Sequence, residues 1–312
     1  MEHRLLGGSG MEVSALSLGS WRTFDRIPRE AGLAMMTAAR EHGIDFLDDA
    51  RYDDETGTAP LSTGYSEVVF GELFRAAGWK RDEVVVANKL WWEFWPEQTA
   101  AEELDASLGR MRFDHLDVVY SERPPDRLPV QEVVGAVAEL IAAGKVRAWG
   151  VLNWPPELIA EATRAAGAEQ APPPCAAQLA YSLAYPDGAE NEAMVDALGA
   201  AGACVVASAV LANGALTGKY ASAKLGRLAG QRDDPRRRAA FRIGEGLARL
   251  SRRLDTTPAR LAIAFALGNP HVTSVLFGAT TPEQVTDNVQ ALALVNRLDD
   301  AELKELRDLA PR

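Results

Sequence analysis

Two residues with acid–base chemistry, Asp48 and Lys89, end two separate apolar runs of the chain, in FLDDA and VVVANK. If those runs are strands of one sheet, the carboxylate and the ammonium group can meet at its edge. A lysine held by an aspartate beside a tyrosine is a plausible proton-transfer device, because the positive charge favours the phenolate and lowers the tyrosine pKa. The alternative interpretation is a purely structural ion pair.

A third candidate is Glu122, in the stretch VVYSERPPD. The apolar residues 118–120 predict a buried strand, and the two prolines that follow predict its end. Glu122 therefore stands where a strand leaves the core.

The elements that must position these residues are short apolar runs that alternate with helical patterns. Such alternation predicts a parallel sheet covered by helices. Eight repeats in 312 residues predict an α/β fold, a (β/α)8 TIM barrel formed by residues 1–312 as a single domain. The predicted strands are 13–20, 44–50, 83–89, 116–122, 146–153, 175–182, 204–211 and 273–279, and the predicted helices include 30–42, 97–111, 130–143, 189–201 and 281–292.

A doubly wound dinucleotide-binding sheet is the competing fold, but no G-x-G-x-x-G sequence follows the first strand. The LGGSG sequence precedes that strand and predicts the turn of an N-terminal β-hairpin. Two long loops, 52–65 and 212–238, follow predicted strands, which is where barrels of this kind place their chemistry.

Composition limits the classes of partner. The chain is 47% hydrophobic with a formal net charge of −11, which argues against nucleic acid or an anionic membrane as the main partner. Two cysteines give no disulfide or metal-site pattern. No apolar signal core and no long apolar stretch occur, so we expect a cytoplasmic protein that acts on a small-molecule substrate. The sequence does not indicate an oligomeric state.

An ordered set of motifs covers nearly the whole chain: RLLGGSGMEVSALSLGSW, GIDFLDDA, SEVVFGELFR, VVVANK, GKVRAWGVLNW, GALTGKY and GATTPEQVTDNVQAL. In order and spacing this set resembles the aldo-keto reductase family. The resemblance implies a barrel that binds NADPH, with NADH possible, and that transfers a hydride from the nicotinamide to a substrate. A tyrosine supplies the proton.

Carried over by motif, the aspartate of the family's DTA sequence is Asp48 and the lysine is Lys89. The family's tyrosine position falls on Asp53, so the candidates are Tyr52, one residue early, and Tyr65, at the far end of the inserted loop. Glu122 stands in the place of the family's histidine. That replacement resembles the steroid 5β-reductase branch, which reduces a conjugated carbon–carbon double bond.

The resemblance also implies a cofactor site and a substrate wall. Asn153 and Gln178 match contacts to the nicotinamide amide, and Ser208 stands where an aromatic residue usually stacks on the ring. Thr281 has no charge where a cation usually contacts the 2′-phosphate, so selectivity for NADP is expected to be weak unless Lys219 or an arginine of 236–238 compensates. The complete expected cofactor set is Gly19, Ser20, Trp21, Asn153, Gln178, Ser208, Leu211, Gly214, Leu216, Gly218, Lys219, Gly278, Thr280, Thr281, Gln284 and Asn288, and the expected substrate-binding residues are Tyr65, Trp91 and Trp92.

Three functions stay open. Because Glu122 stands in place of the family's histidine, the favoured reaction is reduction of a conjugated C=C or of a C=N bond. If the glutamate only pairs with Lys89 or Arg123, the chain is an ordinary carbonyl reductase. The third is a non-catalytic, cofactor-sensing module that resembles the potassium-channel β-subunits.

Overall fold

The computed structural model describes residues 1–221, 228, 234 and 237–310. The chain begins with an antiparallel hairpin of β1 (His3–Leu5) and β2 (Glu12–Ser14), with a short 3₁₀ turn at Gly7–Ser9 between them. The apolar residues Leu6, Met11 and Val13 of this hairpin are buried against the interior of the barrel. The predicted N-terminal hairpin is confirmed.

Eight parallel strands close into a barrel, in the order β10-β3-β4-β5-β6-β7-β8-β9. The predicted (β/α)8 TIM barrel is therefore confirmed. The predicted strand 13–20 divides, because the chain leaves the hairpin at Ser14 and enters the barrel at Leu16. The barrel strands are β3 (Leu16–Gly19), β4 (Phe46–Asp48), β5 (Val85–Leu90), β6 (Leu116–Glu122), β7 (Val146–Leu152), β8 (Ala176–Ala180), β9 (Cys204–Ser208) and β10 (Val272–Phe277).

Helices cover the outside of the barrel. Side-chain caps mark the starts of several helices: for example, Thr99 and Glu102 form a capping box, and Asn191 accepts a hydrogen bond from the backbone N–H of Met194. Asn191 therefore divides the predicted helix 189–201. The helices are α1 (Arg29–Glu41), α2 (Tyr65–Ala76), α3 (Ala100–Met111), α4 (Val130–Ala142), α5 (Pro156–Glu169), α6 (Asp187–Glu190), α7 (Glu192–Ala201), α8 (Arg238–Arg253), α9 (Pro258–Leu267), α10 (Pro282–Val289), α11 (Ala291–Val295) and α12 (Asp300–Arg307).

The interior of the barrel is filled by side chains. Tyr120 is fully buried there, and Gly150 lies directly against its ring. A Cβ at Gly150 would come within 2.8 Å of Tyr120 Cε1 and 2.4 Å of the main-chain oxygen of Ala176, so no larger residue fits. Tyr120 also lies below Lys89, whose Nζ is 6.0 Å from the centre of its ring, and so forms part of the floor of the candidate site.

Two searches of the described residues have negative results. No helix in residues 1–221 or 237–310 is both long and apolar enough to cross a membrane. The same residues contain no group of three or more His, Cys, Asp or Glu side chains arranged to hold a metal ion.

Candidate active site

Asp48 and Lys89 meet at the carboxyl ends of two adjacent strands, β4 and β5. Nζ of Lys89 donates to Oδ1 of Asp48 and, at 3.1 Å, to the main-chain oxygen of Asp49. Nε2 of Gln178, on β8, donates to the second oxygen of Asp48 at 3.1 Å. Both charged side chains are only 3% exposed. This buried, fully hydrogen-bonded pair has the arrangement that the sequence predicted.

Tyr52 lies beside the pair. Its half-buried ring meets Trp91 edge to face, with centroids 6.2 Å apart. Burial, followed by the negative charge of Asp48, raises the pKa of Tyr52 well above its ordinary value of 10. The sequence predicted a lowered tyrosine pKa. The direction is reversed because burial desolvates the tyrosine and the negative charge of Asp48 disfavours the phenolate.

Tyr65, the alternative proton donor, lies elsewhere. It is the first residue of α2, and its hydroxyl accepts a hydrogen bond of 2.9 Å from Nη2 of Arg29, the first residue of α1. The Arg29 guanidinium also lies 5.5 Å from the centre of the tyrosine ring. These contacts hold Tyr65 between two outer helices. The hydrogen-bond and ring contacts of Tyr65 within the described residues do not include Asp48 or Lys89, and its role as proton donor or as part of a substrate wall stays a prediction.

Glu122 is the last residue of β6 and is half-buried. Its Oε1 accepts a hydrogen bond of 3.2 Å from the backbone N–H of Arg123, while the Arg123 guanidinium lies 4.0 Å from Asp126. Within the part of the chain that the structure describes, Glu122 has no ion-pair partner. Burial raises its pKa, and the hydrogen bond from Arg123 and the charge of Lys89 oppose that rise only in part.

The two tryptophans after β5 have different positions. Trp91 is half-buried and contacts Tyr52, as expected of a substrate wall. Trp92 is only 3% exposed, and its indole N–H donates to the Ser121 hydroxyl at 2.8 Å. The expectation that Trp92 lines the substrate site is corrected, because that hydrogen bond holds its ring in the core. The Glu103 carboxylate fixes this corner by accepting from the backbone N–H groups of Trp91 and Trp92, at 2.9 and 3.3 Å.

A second layer of acids behind the pair was missed by the sequence reasoning. Asp49 is fully buried and accepts a hydrogen bond from the Ser20 hydroxyl. Glu67, also fully buried, is paired with Arg110 and accepts from the Asn88 amide at 2.8 Å. The available signal was the doubled aspartate of FLDDA, which has Asp49 where the resembling family's motif has threonine.

The predicted pyrophosphate loop has a backbone suited to anions. Residues Ala212–Thr217 form tight turns in which Asn213 and Gly214 have positive φ angles of 57° and 90°. A Cβ at Gly214 would lie 3.4 Å from Nζ of Lys219, so the exposed ammonium group lies beside the backbone of the turn. A side chain at position 214 would fill the space between this turn and Lys219. Glycine leaves that space open, which fits the close approach of a phosphate to the backbone.

The remaining expected cofactor residues follow the carboxyl ends of the strands. Asn153 is exposed, has a φ of 52°, and accepts from the backbone N–H of Ala180 at 3.2 Å. The Ser20 hydroxyl is directed to Asp49 and is therefore part of the acid layer as well. Exposed positions are Trp21, Gly278, Thr280, Thr281 and Gln284; Ser208, Leu211, Gly214 and Gly218 are half-buried; Gly19, Gln178, Leu216 and Asn288 are buried.

Among the described residues, the expected site for the adenosine end carries little positive charge. Thr281 caps α10, accepting from the backbone N–H of Gln284 at 3.4 Å, and Gln284 in turn accepts from the N–H of Thr280 at 2.8 Å. The nearby Arg260 is paired with Asp287 at 2.6 Å. Arg236, one of the arginines expected to compensate, lies outside the described residues.

Comparison with known proteins agrees with this geometry. The profile of the Aldo/keto reductase family matches residues 15–311. The chain is 32% identical to a "Probable voltage-gated potassium channel subunit beta" of Oryza sativa subsp. japonica, covering 95% of this chain and 92% of that protein. It is 31% identical to a "Putative voltage-gated potassium channel subunit beta" of Schizosaccharomyces pombe (98% and 92%) and 29% identical to a "Probable voltage-gated potassium channel subunit beta" of Arabidopsis thaliana (99% and 96%). The chain belongs to the aldo/keto reductase family.

Proposed function

We propose that this protein is an NADPH-dependent oxidoreductase that reduces a conjugated C=C or a C=N bond of a small organic substrate. The observation that carries the proposal is the Glu122 carboxyl group. It is half-buried at the end of β6 and has no ion-pair partner among the described residues. By the resemblance of the motifs, it also stands where the family is expected to have a histidine.

A neutral Glu122 explains the choice of a conjugated substrate. Burial disfavours the carboxylate, and a protonated carboxyl group can donate a hydrogen bond to a substrate carbonyl oxygen. That donor stabilises the enolate-like negative charge that develops when the β-carbon accepts a hydride. In its ionised form, Glu122 would instead attract a cationic iminium substrate, so both bond types belong to the proposal.

Tyr52 is the proposed proton donor. Lys89, held by Asp48 and by the main-chain oxygen of Asp49, is the positive charge available to stabilise the phenolate that remains after proton transfer. The nicotinamide supplies the hydride when the cofactor is bound. Gln178, Asn153 and the Gly214–Lys219 cradle would orient the cofactor.

NADPH is the proposed cofactor, with NADH also accepted. Lys219 is positioned for phosphate, but the N-terminus of α10 presents Thr280 and Thr281 without a cation. Glu283 in its first turn is an exposed acid whose pKa is lowered by hydrogen bonds from its own backbone N–H and from Thr281. This negative charge disfavours the 2′-phosphate that distinguishes NADPH.

The test is a comparison of the wild type with Glu122→His and Glu122→Gln on three substrate panels: enones, cyclic imines and simple aldehydes. We expect the wild type to prefer enones or imines and Glu122→His to shift towards aldehydes by at least tenfold in relative kcat/KM, or ~1.4 kcal/mol of transition-state energy. Glu122→Gln keeps a hydrogen-bond donor and should retain the enone preference. An unchanged substrate preference in Glu122→His would refute the proposal.

The names of the relatives favour a second candidate, a potassium-channel β-subunit, for which we propose a cofactor-sensing role. They are 29–32% identical to this chain over more than nine-tenths of its length and are named as potassium-channel subunits. In that case the barrel binds the cofactor but turns over slowly. Mixing the NADPH-loaded protein with the three panels in a stopped-flow experiment separates the candidates, because rapid cofactor oxidation with any panel supports the enzyme and its absence supports the sensor.

A further inference from the structure

Asp49 is a buried acid at the base of the site, and the described residues give its carboxylate no ion-pair partner. It is fully buried, and one carboxyl oxygen accepts from the Ser20 hydroxyl. The other oxygen is buried and has no hydrogen-bond partner of ordinary geometry in the structure, although the adjacent backbone N–H of Ala50 lies close enough to favour the carboxylate. An ionised carboxylate with an unsatisfied buried oxygen is costly, whereas a protonated carboxyl group is far less so.

Counting the surrounding charges leads to the same conclusion. Three acids lie together: Asp48 on β4, Asp49 directly after it, and Glu67 on α2. Two cations face them: Lys89 of β5 is paired with Asp48, and Arg110 of α3 is paired with Glu67. Lys89 reaches Asp49 only at its main-chain oxygen, which accepts at 3.1 Å. The described cluster is electrically balanced only if Asp49 carries a proton.

We propose that Asp49 is a neutral carboxylic acid in the working site and that it acts as a positioning residue. In neutral form it leaves Lys89 to Asp48 and keeps an additional negative charge away from Tyr52. Ionised, it would compete for the Lys89 ammonium group and oppose formation of the Tyr52 phenolate. The second consequence rests on the proposed function, whereas the protonation state does not.

The direction of the pKa agrees with the geometry. Burial, as the main cause, and the negative charge of Glu67 raise the pKa of Asp49 to about 8. The hydrogen bond from Ser20, the backbone N–H of Ala50 and the charge of Lys89 oppose the rise without cancelling it. The negative charge of Asp49 is itself one cause of the raised pKa of Tyr52. Asp49 therefore loses its proton within an accessible pH range. Its ionisation raises the pKa of Tyr52, the proposed proton donor.

The direct test is infrared difference spectroscopy of the whole chain. The wild-type minus Asp49→Asn spectrum should show a protonated-carboxyl C=O band at pH 6 that is lost with a midpoint near pH 8, the value to which the pKa of Asp49 is raised. Glu103→Gln removes another buried acid and is the matched control. The protein with this substitution should still show the band assigned to Asp49. Absence of the band from the Asp49→Asn difference at pH 6 would overturn the proposal. If Asp49→Asn does not fold, Asp49→Thr, the residue of the family motif, takes its place.

Stability gives a second readout that needs no substrate. Between the ordinary aspartate pKa of 3.8 and about 8, the unfolded chain has released this proton and the folded chain still holds it. The contribution of Asp49 to wild-type stability must therefore fall as pH rises through this window. The Tm of Asp49→Asn relative to wild type should increase from pH 5 to pH 9, and a constant difference would contradict the proposed protonation.

The positioning role is tested by pH–rate profiles in a Glu122→Gln background, where Glu122 cannot titrate. The parent should lose kcat for reduction as pH rises through about 8, by roughly tenfold per pH unit beyond it, and the added Asp49→Asn change should remove this alkaline fall. If the infrared band is present but the fall persists, Asp49 is neutral without positioning the pair. If no panel is turned over, the proposed function fails while the infrared and stability results still decide the protonation.

Discussion

Gln178 donates its amide N–H to the Asp48 oxygen that Lys89 does not bind, at 3.1 Å. The sequence predicted Gln178 only as a contact to the nicotinamide amide. Because its Nε2 is directed to Asp48, its Oε1 is the atom that remains to accept a hydrogen bond from the carboxamide. With the proposed cofactor bound in this way, one side chain would link the position of the cofactor ring to the orientation of the buried ion pair.

This link predicts different effects for two substitutions at Gln178. Gln178→Leu removes both hydrogen bonds and should weaken cofactor binding by roughly tenfold, since a hydrogen bond contributes about 0.5–1.5 kcal/mol and Asp48 loses a partner. Gln178→Glu keeps the shape but places a carboxyl group against Asp48, so kcat should fall more than in Gln178→Leu. Cofactor titration by fluorescence and steady-state kinetics measure both effects. Equal kcat values for the two variants would contradict the direct link to Asp48.

Tyr52 and Tyr65 are predicted to differ sharply in their effects on catalysis. Tyr52→Phe should lower kcat by about 10²–10⁴-fold, the usual contribution of a positioned acid, with little change in cofactor affinity. Tyr65→Phe removes only the hydrogen bond from Arg29 and should leave kcat close to wild type while costing about 0.5–1.5 kcal/mol of folding stability. Single-turnover rates and denaturant unfolding make the comparison. A larger rate loss in Tyr65→Phe would move the proton donor to that residue.

The position of Tyr52 shows why the sequence left the proton donor open. The strand ends at Asp48, Lys89 and Glu122 could be predicted, because buried parallel strands are continuous apolar runs. The choice between Tyr52 and Tyr65 depends on the path of an inserted loop, which has no periodic pattern. The acid layer was missed for a related reason: Glu67 pairs with Arg110 across 43 positions, and only the fold brings them together. The hydrogen bond that buries Trp92 likewise joins two strand ends.

The raised pKa of Glu122 predicts the direction of its pH dependence. Below that pKa the carboxyl group is protonated and can donate to a substrate carbonyl, and above it the donor is lost. Reduction of an enone should therefore slow as pH rises through the Glu122 pKa, and Glu122→Gln should lack this fall. The pH–rate profiles with Glu122 and with Glu122→Gln are both measured in an Asp49→Asn background. Asp49 then does not titrate, and the two proteins differ only at residue 122. For an iminium substrate the expected dependence is opposite, because the carboxylate is then the useful form.

Cofactor preference should respond to the charge at the start of α10. Glu283→Lys replaces an exposed anion with a cation at the helix end where a 2′-phosphate is expected. We predict a rise of roughly fivefold in the NADPH-to-NADH ratio of kcat/KM, because a positive charge at a helix N-terminus attracts the 2′-phosphate where the anion repelled it. Glu192→Lys makes the same charge change at the start of α7 and should leave the ratio unchanged. A similar shift in both variants would indicate a long-range charge effect.

The loop after Tyr52 is closed on itself. The backbone N–H of Gly64 donates to the main-chain oxygen of Tyr52 at 2.8 Å, and Asp53 and Thr63 form a β-bridge. At the tip, the Asp54 carboxylate accepts hydrogen bonds from Thr56 and Ala59. Both ends are thus fixed to each other independently of what lies between them. Glu55 pairs with Arg22 and Arg26 and so ties the loop to the segment after β3. Residues 56–61 are therefore the natural graft site: segments of other length and composition can be exchanged there to vary the proposed substrate range while Tyr52 and the start of α2 keep their positions.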